Sequence, residues 1–377
     1  MYVCVVFLFL FFLAPDAVAG QGNTIKQWEG FHFNLIRTLN AVTTARKQKS
    51  KQVGDDVTAM HFSEEADALI TGHESGSITL WKPESGNIVH LTDNANKSAH
   101  ANAVTSIGVG KATRAQQLLL VSVDFDGAIV IWDLGYAASQ AKFKTNSNSK
   151  SADSSLIRIL HEAHWQEALA VLVGSWSSKS SSSSPVIVTA GIDCVVSVRD
   201  AETLRIINTY ELHEEPISCL SLDQELVLSG SEDCTVHVWP WHPNMKMHSP
   251  RSVLRGHTAA ITSLEVVPSP ALHYSCSINT EYCNSFNNAL DNSTKTAQPM
   301  LLTASQEGIV RIWLHRLEQC VQKFEQKNRM HICSMAKRLK TMNILAGLED
   351  GSIIEFQAHD DDLVQYACLY GELKAPC

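Results

Sequence analysis

The sequence lacks the patterns that mark the commonest catalytic, metal-binding and nucleic-acid-binding proteins. Its ten cysteines include no Cys-x-x-Cys pair, which excludes the usual zinc-ligand spacing and gives no compact disulfide framework. No Gly-x-Ser-x-Gly elbow is present to expose a nucleophilic serine. The net charge is −9, so the chain lacks the basic excess that binding to a nucleic-acid backbone requires. We therefore predict no enzyme activity, no metal site, no cofactor and no nucleic-acid partner.

What the sequence does contain is a repeated β-hairpin, which is clearest in residues 226–239. Two strand-forming runs, Leu226–Ser229 and Thr235–Trp239, flank a short polar turn, and the second run alternates apolar and polar residues. A lone hairpin cannot bury its apolar face, so it needs copies of itself. Similar segments occupy residues 69–81, 118–132 and 301–313, and degenerate ones occupy 186–199 and 345–356, with Arg199 and Phe356 replacing Trp. Such a repeat indicates a propeller or a solenoid.

Most hairpins lie between two further short strands, so the repeating unit has four strands. The strand before the hairpin is usually headed by a histidine: His100, His164, His213 or His257. With Gly256-His257 and Trp132-Asp133 as its signature dipeptides, the chain resembles the WD-repeat β-propeller family. The resemblance implies an all-β, seven-bladed WD-repeat β-propeller with four antiparallel strands per blade, made of six clear blades and one N-terminal blade. It says less about function, because this fold supports many unrelated roles.

We expect residues 1–377 to form a single propeller domain. The blades are expected at about 2–40, 53–95, 100–160, 164–211, 213–254, 257–325 and 328–370, with flexible inserts at 135–155, 174–185 and 268–299. The inserts all belong to loops that join the first strand to the second or the third to the fourth. The opposite face, here called the top face, holds the second-to-third turns and the short links between blades. In the family, that tighter face often carries the binding site.

The N-terminus supports two interpretations. The apolar run Val3–Leu13 can supply strands of a seventh blade, with Ala19–Trp28 as its hairpin, and the protein is then cytoplasmic or nuclear. Alternatively residues 1–19 are a signal peptide, although no Lys or Arg precedes the apolar run, and the protein is secreted or membrane-tethered. The second interpretation would make the Asn96 and Asn292 glycosylation triplets meaningful, and would allow a disulfide between Cys276 and Cys283.

The repeat also places a hydroxyl, an imidazole, a carboxylate and an indole at recurring positions, which the resemblance identifies as the family's structural tetrad. Three sets are complete: His100, Ser122, Asp126 and Trp132; His213, Ser229, Asp233 and Trp239; His257, Thr303, Glu307 and Trp313. A fourth set, His164, Thr189 and Asp193, lacks the Trp. An active site occurs once, whereas these sets recur, so we expect buried networks that fix blade packing.

Two other groups of residues have weaker interpretations. A soft metal site could be imagined around His237, His242, Met245, Met247 and His248, but His237 lies within a strand and the others lie in a Pro-containing loop. The segment Ile312–Arg316 is similar to the Trp-Asp-x-Arg motif by which some WD-repeat proteins bind cullin ligase adaptors. Leu314 replaces the Asp of that motif. A substrate receptor of a cullin-type ubiquitin ligase is therefore the alternative function.

In the WD-repeat family, the residue just before the turn carboxylate, or before its equivalent, points toward the top face near the propeller axis. These residues are Gln21, Glu74, Phe125, Ile192, Glu232, Gln306 and Glu349. Three are acidic, two are apolar and none is basic. We predict a non-catalytic scaffold or adaptor, part of a multiprotein complex, whose top face binds a protein or peptide that is basic and has an apolar anchor.

Overall fold

The computed structural model describes most of the chain. The described residues are 9–10, 17–21, 24–28, 35–40, 55–82, 88–92, 98–112, 117–143, 155–176, 184–223, 226–240, 249–267, 299–314, 316, 318–325, 329–337, 344–350, 352–358 and 363–369. They form short antiparallel strands and one helix. Four successive strands pair to make each sheet, so the fold is all-β with a four-stranded repeat.

The strands group into seven sheets, numbered here in chain order. The first sheet contains β1 (Phe9–Leu10), β2 (Ala17–Gln21), β3 (Thr24–Trp28) and β4 (Leu35–Asn40). The second contains β5 (Val57–Ser63), β6 (Ala68–His73), β7 (Ile78–Trp81) and β8 (Ile88–Leu91). The third contains β9 (Val104–Ala112), β10 (Gln117–Asp124), β11 (Ile129–Asp133) and β12 (Leu156–Leu160), with helix α1 (Leu134–Phe143) between the last two.

The remaining sheets repeat the same order. The fourth contains β13 (Ala168–Trp176), β14 (Ser184–Gly191), β15 (Val196–Asp200) and β16 (Ile206–Tyr210). The fifth contains β17 (Ile217–Asp223), β18 (Leu226–Ser231), β19 (Thr235–Pro240) and β20 (Ser252–Arg255). The sixth contains β21 (Ile261–Val267), β22 (Met300–Ser305), β23 (Ile309–Leu314) and β24 (Gln319–Glu325). The seventh contains β25 (Ile332–Lys337), β26 (Ile344–Leu348), β27 (Ile353–Ala358) and β28 (Leu363–Leu369).

Neighbouring sheets pack face to face through the apolar residues of their middle strands. The second strand of most sheets is buried on both faces, as in β6, β18 and β22. One apolar cluster joins the second and third sheets, and another joins the fourth and fifth. This explains why the second strands are nearly continuous apolar runs, while the first strands alternate between buried and half-buried positions.

Hydroxyl groups on the first strands link each sheet to the next. Each is the second residue of its strand and donates to a backbone carbonyl at the start of the following first strand. The pairs are Thr58 to Val104 (2.6 Å), Thr105 to Ala168, Ser218 to Ile261, and Thr262 to Ile332 (2.7 Å). The fourth sheet has Leu169 at this position and makes no such bond. Each hydrogen bond is worth about 1 kcal/mol, and together they fix the order of the sheets around the propeller.

The first sheet contacts the sheets that begin and end the rest of the chain. Strand β1 contacts both β5 and β25, and β2 contacts β5. Ile25 in β3 is fully buried in a cluster with Val57, Met60, Leu69 and Trp81 of the second sheet. Gln21, one of the predicted top-face residues, is placed only as the last residue of β2.

Parts of the predicted inserts lie in a helix or in strands. Residues 134–143 form helix α1, because the Asp133 carboxylate accepts the Tyr136 backbone N–H (2.8 Å) and so caps the helix. Residues 174–176 and 184–185 belong to β13 and β14, which pair directly through Trp176 and Ser184. The parts 144–154, 177–183 and 268–298 lie outside the described residues. The predicted insert at 135–155 thus lies between β11 and β12 and begins with a helix, and its flexibility stays a prediction.

The structure also bears on the sequence features tied to export. Within the described ranges, no helix has the length and apolar character needed to cross a bilayer. Three cysteines in those ranges, Cys194, Cys219 and Cys234, are free thiols. Burial raises the pKa of the Cys219 thiol to about 12, so it stays protonated. Cys276, Cys283, Asn96 and Asn292 lie outside the described residues.

Candidate functional site

The fifth sheet carries a complete buried polar network. His213 Nδ1 lies 2.7 Å from Asp233 Oδ2, and His213 Nε2 lies 2.8 Å from Ser229 Oγ. The Trp239 indole N–H donates to the same Ser229 oxygen at 2.9 Å. These side chains come from the link before β17, from β18, from the following turn and from β19. The network therefore joins every element of the sheet except its outer strand.

One set of protons satisfies all of these contacts. The indole N–H donates to the serine oxygen, the serine O–H donates to Nε2, and the imidazole Nδ1–H donates to the carboxylate. Burial alone would raise the pKa of Asp233, but hydrogen bonds from His213 and Thr235 outweigh it and hold the pKa well below its usual range. The imidazole thus lies between an ionised carboxylate and a hydroxyl, and both of its ring nitrogens have partners within the network.

The fourth and sixth sheets bring together the residues that the sequence predicted. In the sixth, His257 lies 2.7 Å from both Glu307 and Thr303, and Trp313 donates to Thr303 at 2.9 Å. In the fourth, His164 lies 2.8 Å from Asp193 and 2.7 Å from Thr189. Glu307 can replace Asp in the sixth sheet because its longer side chain still reaches Nδ1.

The third sheet requires a correction, because Asp124 takes the place predicted for Asp126. His100 Nδ1 lies 2.8 Å from Asp124, while Nε2 contacts Ser122 at 2.7 Å and Trp132 donates to Ser122 at 3.1 Å. Asp124 ends β10 two residues after Ser122, so both side chains point to the same face of the sheet. Asp126 is exposed and accepts from the Asn102 amide. Spacing along the sequence could not show which of the two carboxylates on either side of Phe125 contacts the histidine.

The second sheet holds a rearranged network that sequence reasoning missed. Trp81 donates to Thr71 Oγ1 at 2.8 Å, and Thr71 contacts His73 Nε2 at 2.9 Å, so the imidazole comes from the end of β6. The carboxylate comes from Asp55, at the position that histidine holds in other sheets. Asp55 accepts from the Ser75 backbone N–H (2.9 Å) and from the hydroxyls of Ser75 (2.6 Å) and Ser77 (3.0 Å). In this sheet the histidine and the carboxylate have exchanged positions. The sequence contains a signal of that exchange, because His73 follows Thr71 by two residues, just as Asp124 follows Ser122 by two.

His237 was one member of the metal cluster that the sequence analysis set aside. Its ring stacks on His213, with centroids 3.7 Å apart and planes 15° apart, and within the described ranges its buried Nδ1 has no hydrogen-bond partner. Together with Asp233 these imidazoles place three possible metal ligands within 4.8 Å of one another. Stacked rings direct their nitrogen lone pairs along parallel planes, and both His213 nitrogens already have partners. These residues do not fit a metal ion. The rest of the predicted cluster, residues 242–248, lies outside the described part of the chain.

Arg316, the residue behind the ligase-receptor alternative, makes a structural ion pair. Its Nε and Nη2 lie 3.2 Å and 3.0 Å from the buried Asp223 carboxylate in the fifth sheet. The Arg316 side chain is 29% exposed, so most of it is covered by the protein itself. The contact ties the sixth sheet to the fifth, and it gives the adaptor interpretation no support.

The six predicted top-face residues outside the first sheet occupy equivalent positions. Each donates its backbone N–H to a carbonyl in the link that precedes its own sheet. The bonds are Glu74 to Asp56 (2.9 Å), Phe125 to Ala103 (3.0 Å), Ile192 to Glu167 (2.9 Å), Glu232 to Pro216 (2.9 Å), Gln306 to Ala260 (3.0 Å) and Glu349 to His331 (3.1 Å). The backbone is thus fixed, while all the side chains except the half-buried Ile192 are exposed. We call these residues the turn ring.

A second ring lies beside the first, and sequence reasoning missed it. It consists of the residue that follows each network histidine or its equivalent: Asp56, Ala101, Trp165, Glu214 and Thr258. In three sheets its backbone N–H donates to the network carboxylate, at 3.3 Å each for Trp165, Glu214 and Thr258. We call these residues the link ring. The position directly after each histidine was the signal in the sequence that could have revealed it.

Comparison with known proteins agrees with this architecture. The profile of the WD domain, G-beta repeat, matches residues 204–240, which span β16 to β19. The chain is 26% identical over 242 residues to Autophagy-related protein 16 of Arabidopsis thaliana, covering 58% of this chain and 44% of that protein. It is 21% identical over 221 residues to Striatin-4 of Homo sapiens, covering 58% of this chain and 26% of that protein. It is 26% identical over 115 residues to Cilia- and flagella-associated protein 52 of Chlamydomonas reinhardtii, covering 30% of this chain and 16% of that protein.

The chain thus spans less than half the length of the curated relatives it matches. The similarity therefore concerns the fold of the shared region, and the activities of the whole relatives cannot be assigned to this chain on that basis. The repeat match, the four-stranded antiparallel sheets and the recurring imidazole networks are independent observations that agree. The chain therefore contains a WD repeat and has the four-stranded, all-β architecture of a WD-repeat propeller, and propellers of this kind generally act as non-catalytic scaffolds for other proteins.

Proposed function

We propose that this propeller is a non-catalytic scaffold that binds a protein or peptide on its top face. The observation that carries the proposal is the turn ring, whose backbone is fixed by six equivalent hydrogen bonds and most of whose side chains are exposed. A surface that is ordered before binding loses little conformational entropy when a partner arrives. The Ser, His and Asp residues are buried in closed networks, so they offer no nucleophile to a substrate.

The charge of the top face favours a basic partner. Glu74, Glu232 and Glu349 are exposed members of the turn ring, and Asp56 and Glu214 add carboxylates from the link ring. Phe125 is 50% exposed and supplies apolar area beside them. We propose a partner segment that carries Lys or Arg together with an apolar anchor. Complementary charge would mainly speed association and set specificity, while the buried apolar contact would supply affinity.

Affinity purification with charge-reversed variants tests this proposal. The triple variant Glu74→Lys, Glu232→Lys and Glu349→Lys should lose at least about tenfold of the partner recovered by the wild-type chain. A matched control reverses Glu64, Glu202 and Glu318, which are exposed in loops on the opposite face. Equal recovery by the wild-type protein and the top-face variant would contradict the proposal. Equal loss in both variants would point to net charge alone as the cause.

We also propose that the first sheet is the seventh blade and closes the ring. This rests on the contacts of β1 with β5 and β25, and on the complete burial of Ile25 against the second sheet. Ile25→Asp would place an unpaired charge in that interface and should lower the free energy of unfolding by roughly 3 kcal/mol or more. Thr38→Asp is the control, because Thr38 is exposed in the same sheet. An equally small effect of both changes would show that the sheet does not close the ring.

The same sheet bears on localisation. The small residues Ala17, Val18 and Ala19, which a signal-peptide interpretation needs as a cleavage site, lie within β2 and pair with β3. We therefore propose a cytoplasmic or nuclear protein. Proximity labelling of the full-length chain in its native cell tests this. Labelling of cytosolic or nuclear neighbours is expected, and labelling confined to secretory compartments would overturn it.

A further inference from the structure

One exposed side chain stands apart from the rest of the top face. Trp165 is 97% exposed, whereas the other large apolar side chains on the described surface reach at most 56%. It belongs to the link ring, and its backbone N–H donates to Asp193 at 3.3 Å. The backbone of Trp165 is therefore held in place, while its indole ring is almost fully exposed to solvent. A large apolar side chain held in water in this way is unusual unless it serves an interface.

The link that contains Trp165 packs against the turn that contains Phe125. The Gly127 carbonyl accepts the backbone N–H groups of Ala163 (3.0 Å) and His164 (3.2 Å), so the third-sheet turn packs directly on this link. Gly127 has φ +72°, and a Cβ there would lie 2.6 Å from the Gln166 carbonyl oxygen. This close approach brings the two exposed aromatic residues, which are 40 positions apart in the sequence, into one sector of the face.

An acidic sector begins on the other side of the same link. The fourth-sheet turn contains Cys194, whose thiol has its pKa raised by burial and then by the charges of Asp193, Glu215, Asp233 and Glu232. Glu214, Glu215 and Glu232 are all exposed. Within the described ranges none of the three is ion-paired, whereas Glu349 lies 3.1 Å from His331. These three carboxylates are thus available to a partner, and they adjoin the aromatic sector through the fourth-sheet turn.

We infer that the third, fourth and fifth sheets form one composite docking site, in which an aromatic or large aliphatic residue of the partner packs on Trp165 and Phe125 while a neighbouring Lys or Arg binds Glu214, Glu215 and Glu232. This deepens the proposed function and rests on it. The occupant is a short basic segment of another protein with its apolar anchor adjacent to its cations. Charge complementarity favours this occupant over an acidic peptide, because the links and turns of the fourth and fifth sheets (residues 161–167, 192–195, 211–216 and 231–234) carry carboxylates and no lysine or arginine.

Selection of peptides on the full-length chain tests the inference directly. A phage-displayed library of random dodecapeptides is selected on the immobilised protein, and the enriched peptides are synthesised with a fluorescent label. Binding is measured by fluorescence anisotropy against four variants. Trp165→Ala and the pair Glu215→Lys with Glu232→Lys probe the two halves of the site. Thr258→Ala from the link ring is the matched control, and Glu74→Lys from the second sheet tests whether the peptides bind elsewhere on the top face. Circular dichroism melts check that each variant is folded.

We expect enriched peptides to carry an aromatic or large aliphatic residue next to Lys or Arg. Each half-site change should weaken their binding by roughly tenfold or more, and the Thr258→Ala control by less than about threefold. Peptides that bind the wild type but respond to Glu74→Lys and not to Trp165→Ala would overturn this site and leave a top-face scaffold standing. Enrichment of acidic peptides, or of none, would overturn both the site and the basic partner of the proposed function.

Discussion

The fourth and fifth sheets share a design but differ at one position of their buried networks. In the fifth, Trp239 donates to Ser229 and stacks on Tyr210 of the fourth sheet, with ring centroids 4.6 Å apart. In the fourth, Arg199 stands where the Trp would be, and its guanidinium donates to the Ala163 and Leu204 carbonyls. Burial lowers the pKa of Arg199, and its Nε is buried without a partner among the described residues.

The difference shows which part of the network is essential to the fold. His164 keeps its contacts with Asp193 and Thr189 although no indole closes the set. The imidazole between hydroxyl and carboxylate therefore holds the turn against the first strand in both sheets. The indole adds packing between sheets, which the fourth sheet replaces with backbone hydrogen bonds from a cation. A lost Trp thus weakens a blade without destroying its architecture.

The largest effect is expected from Trp239→Ala. The side chain is fully buried, so truncation leaves a cavity, removes the stack on Tyr210 and leaves Ser229 without its donor. We expect a loss of about 3–5 kcal/mol in the free energy of unfolding, measured by chemical denaturation. Arg199→Ala in the fourth sheet is the matched variant and should cost clearly less. Equal costs would mean that the two positions contribute alike.

Neutralising the two carboxylates of the third sheet one at a time tests whether Asp124 or Asp126 belongs to the buried network of His100. Asp124→Asn removes the charge that accepts from His100 and from two turn N–H groups, and should cost about 1–3 kcal/mol. Asp126→Asn changes an exposed side chain and should cost less than about 0.5 kcal/mol. Thermal melts of both variants decide between them. A larger effect at Asp126 would restore the assignment predicted from sequence spacing.

Acid should destabilise the fifth and sixth sheets, and also the second, where burial lowers the pKa of His61 to about 4 and lowers that of His73. Burial, and then the neighbouring His213, lowers the pKa of His237 to about 4, and burial lowers that of His257 to about 4. The unfolded chain takes up protons near pH 6.5, so stability is full above that pH and falls progressively towards pH 4. His237→Phe keeps the stack on His213 and should remove up to roughly 2 kcal/mol of this loss at pH 4.5. Unfolding curves at pH 7.5 and 4.5 measure it, and an unchanged pH dependence would contradict the assignment.

The smallest effect is expected from Arg199→Leu. The change removes a buried cation whose Nε has no partner among the described residues. It also leaves the Ala163 and Leu204 carbonyls without the hydrogen bonds that Arg199 donates to them. Replacing a buried charge with an apolar side chain of similar size is often close to neutral. We expect a change within about 1 kcal/mol in chemical denaturation. A loss as large as that of Trp239→Ala would show that the cation is an equal substitute for the indole.

Much of the fold was predictable because the repeat is local. Alternation of apolar and polar residues fixes strand pairing and register, and four strands per unit follow from counting such runs. The networks of the fourth, fifth and sixth sheets were predictable for the same reason, since each recurs at a constant offset within one unit. The rearranged set of Asp55 and His73 escaped because the histidine and the carboxylate exchange positions, and His73 contacts the backbone carbonyl of Asp55 instead of its carboxylate.

The sequence by itself determined the WD-repeat architecture, the residue types of the networks and the acidic turn ring, because all of these depend on contacts within one unit. Only the tertiary structure decided that Asp124 and not Asp126 reaches His100, and that Arg316 is committed to Asp223. It also placed Trp165 beside the turn of Phe125. The physical reason is that these contacts depend on which face a side chain takes and on which neighbouring blade it meets, and neither is specified by spacing along the chain.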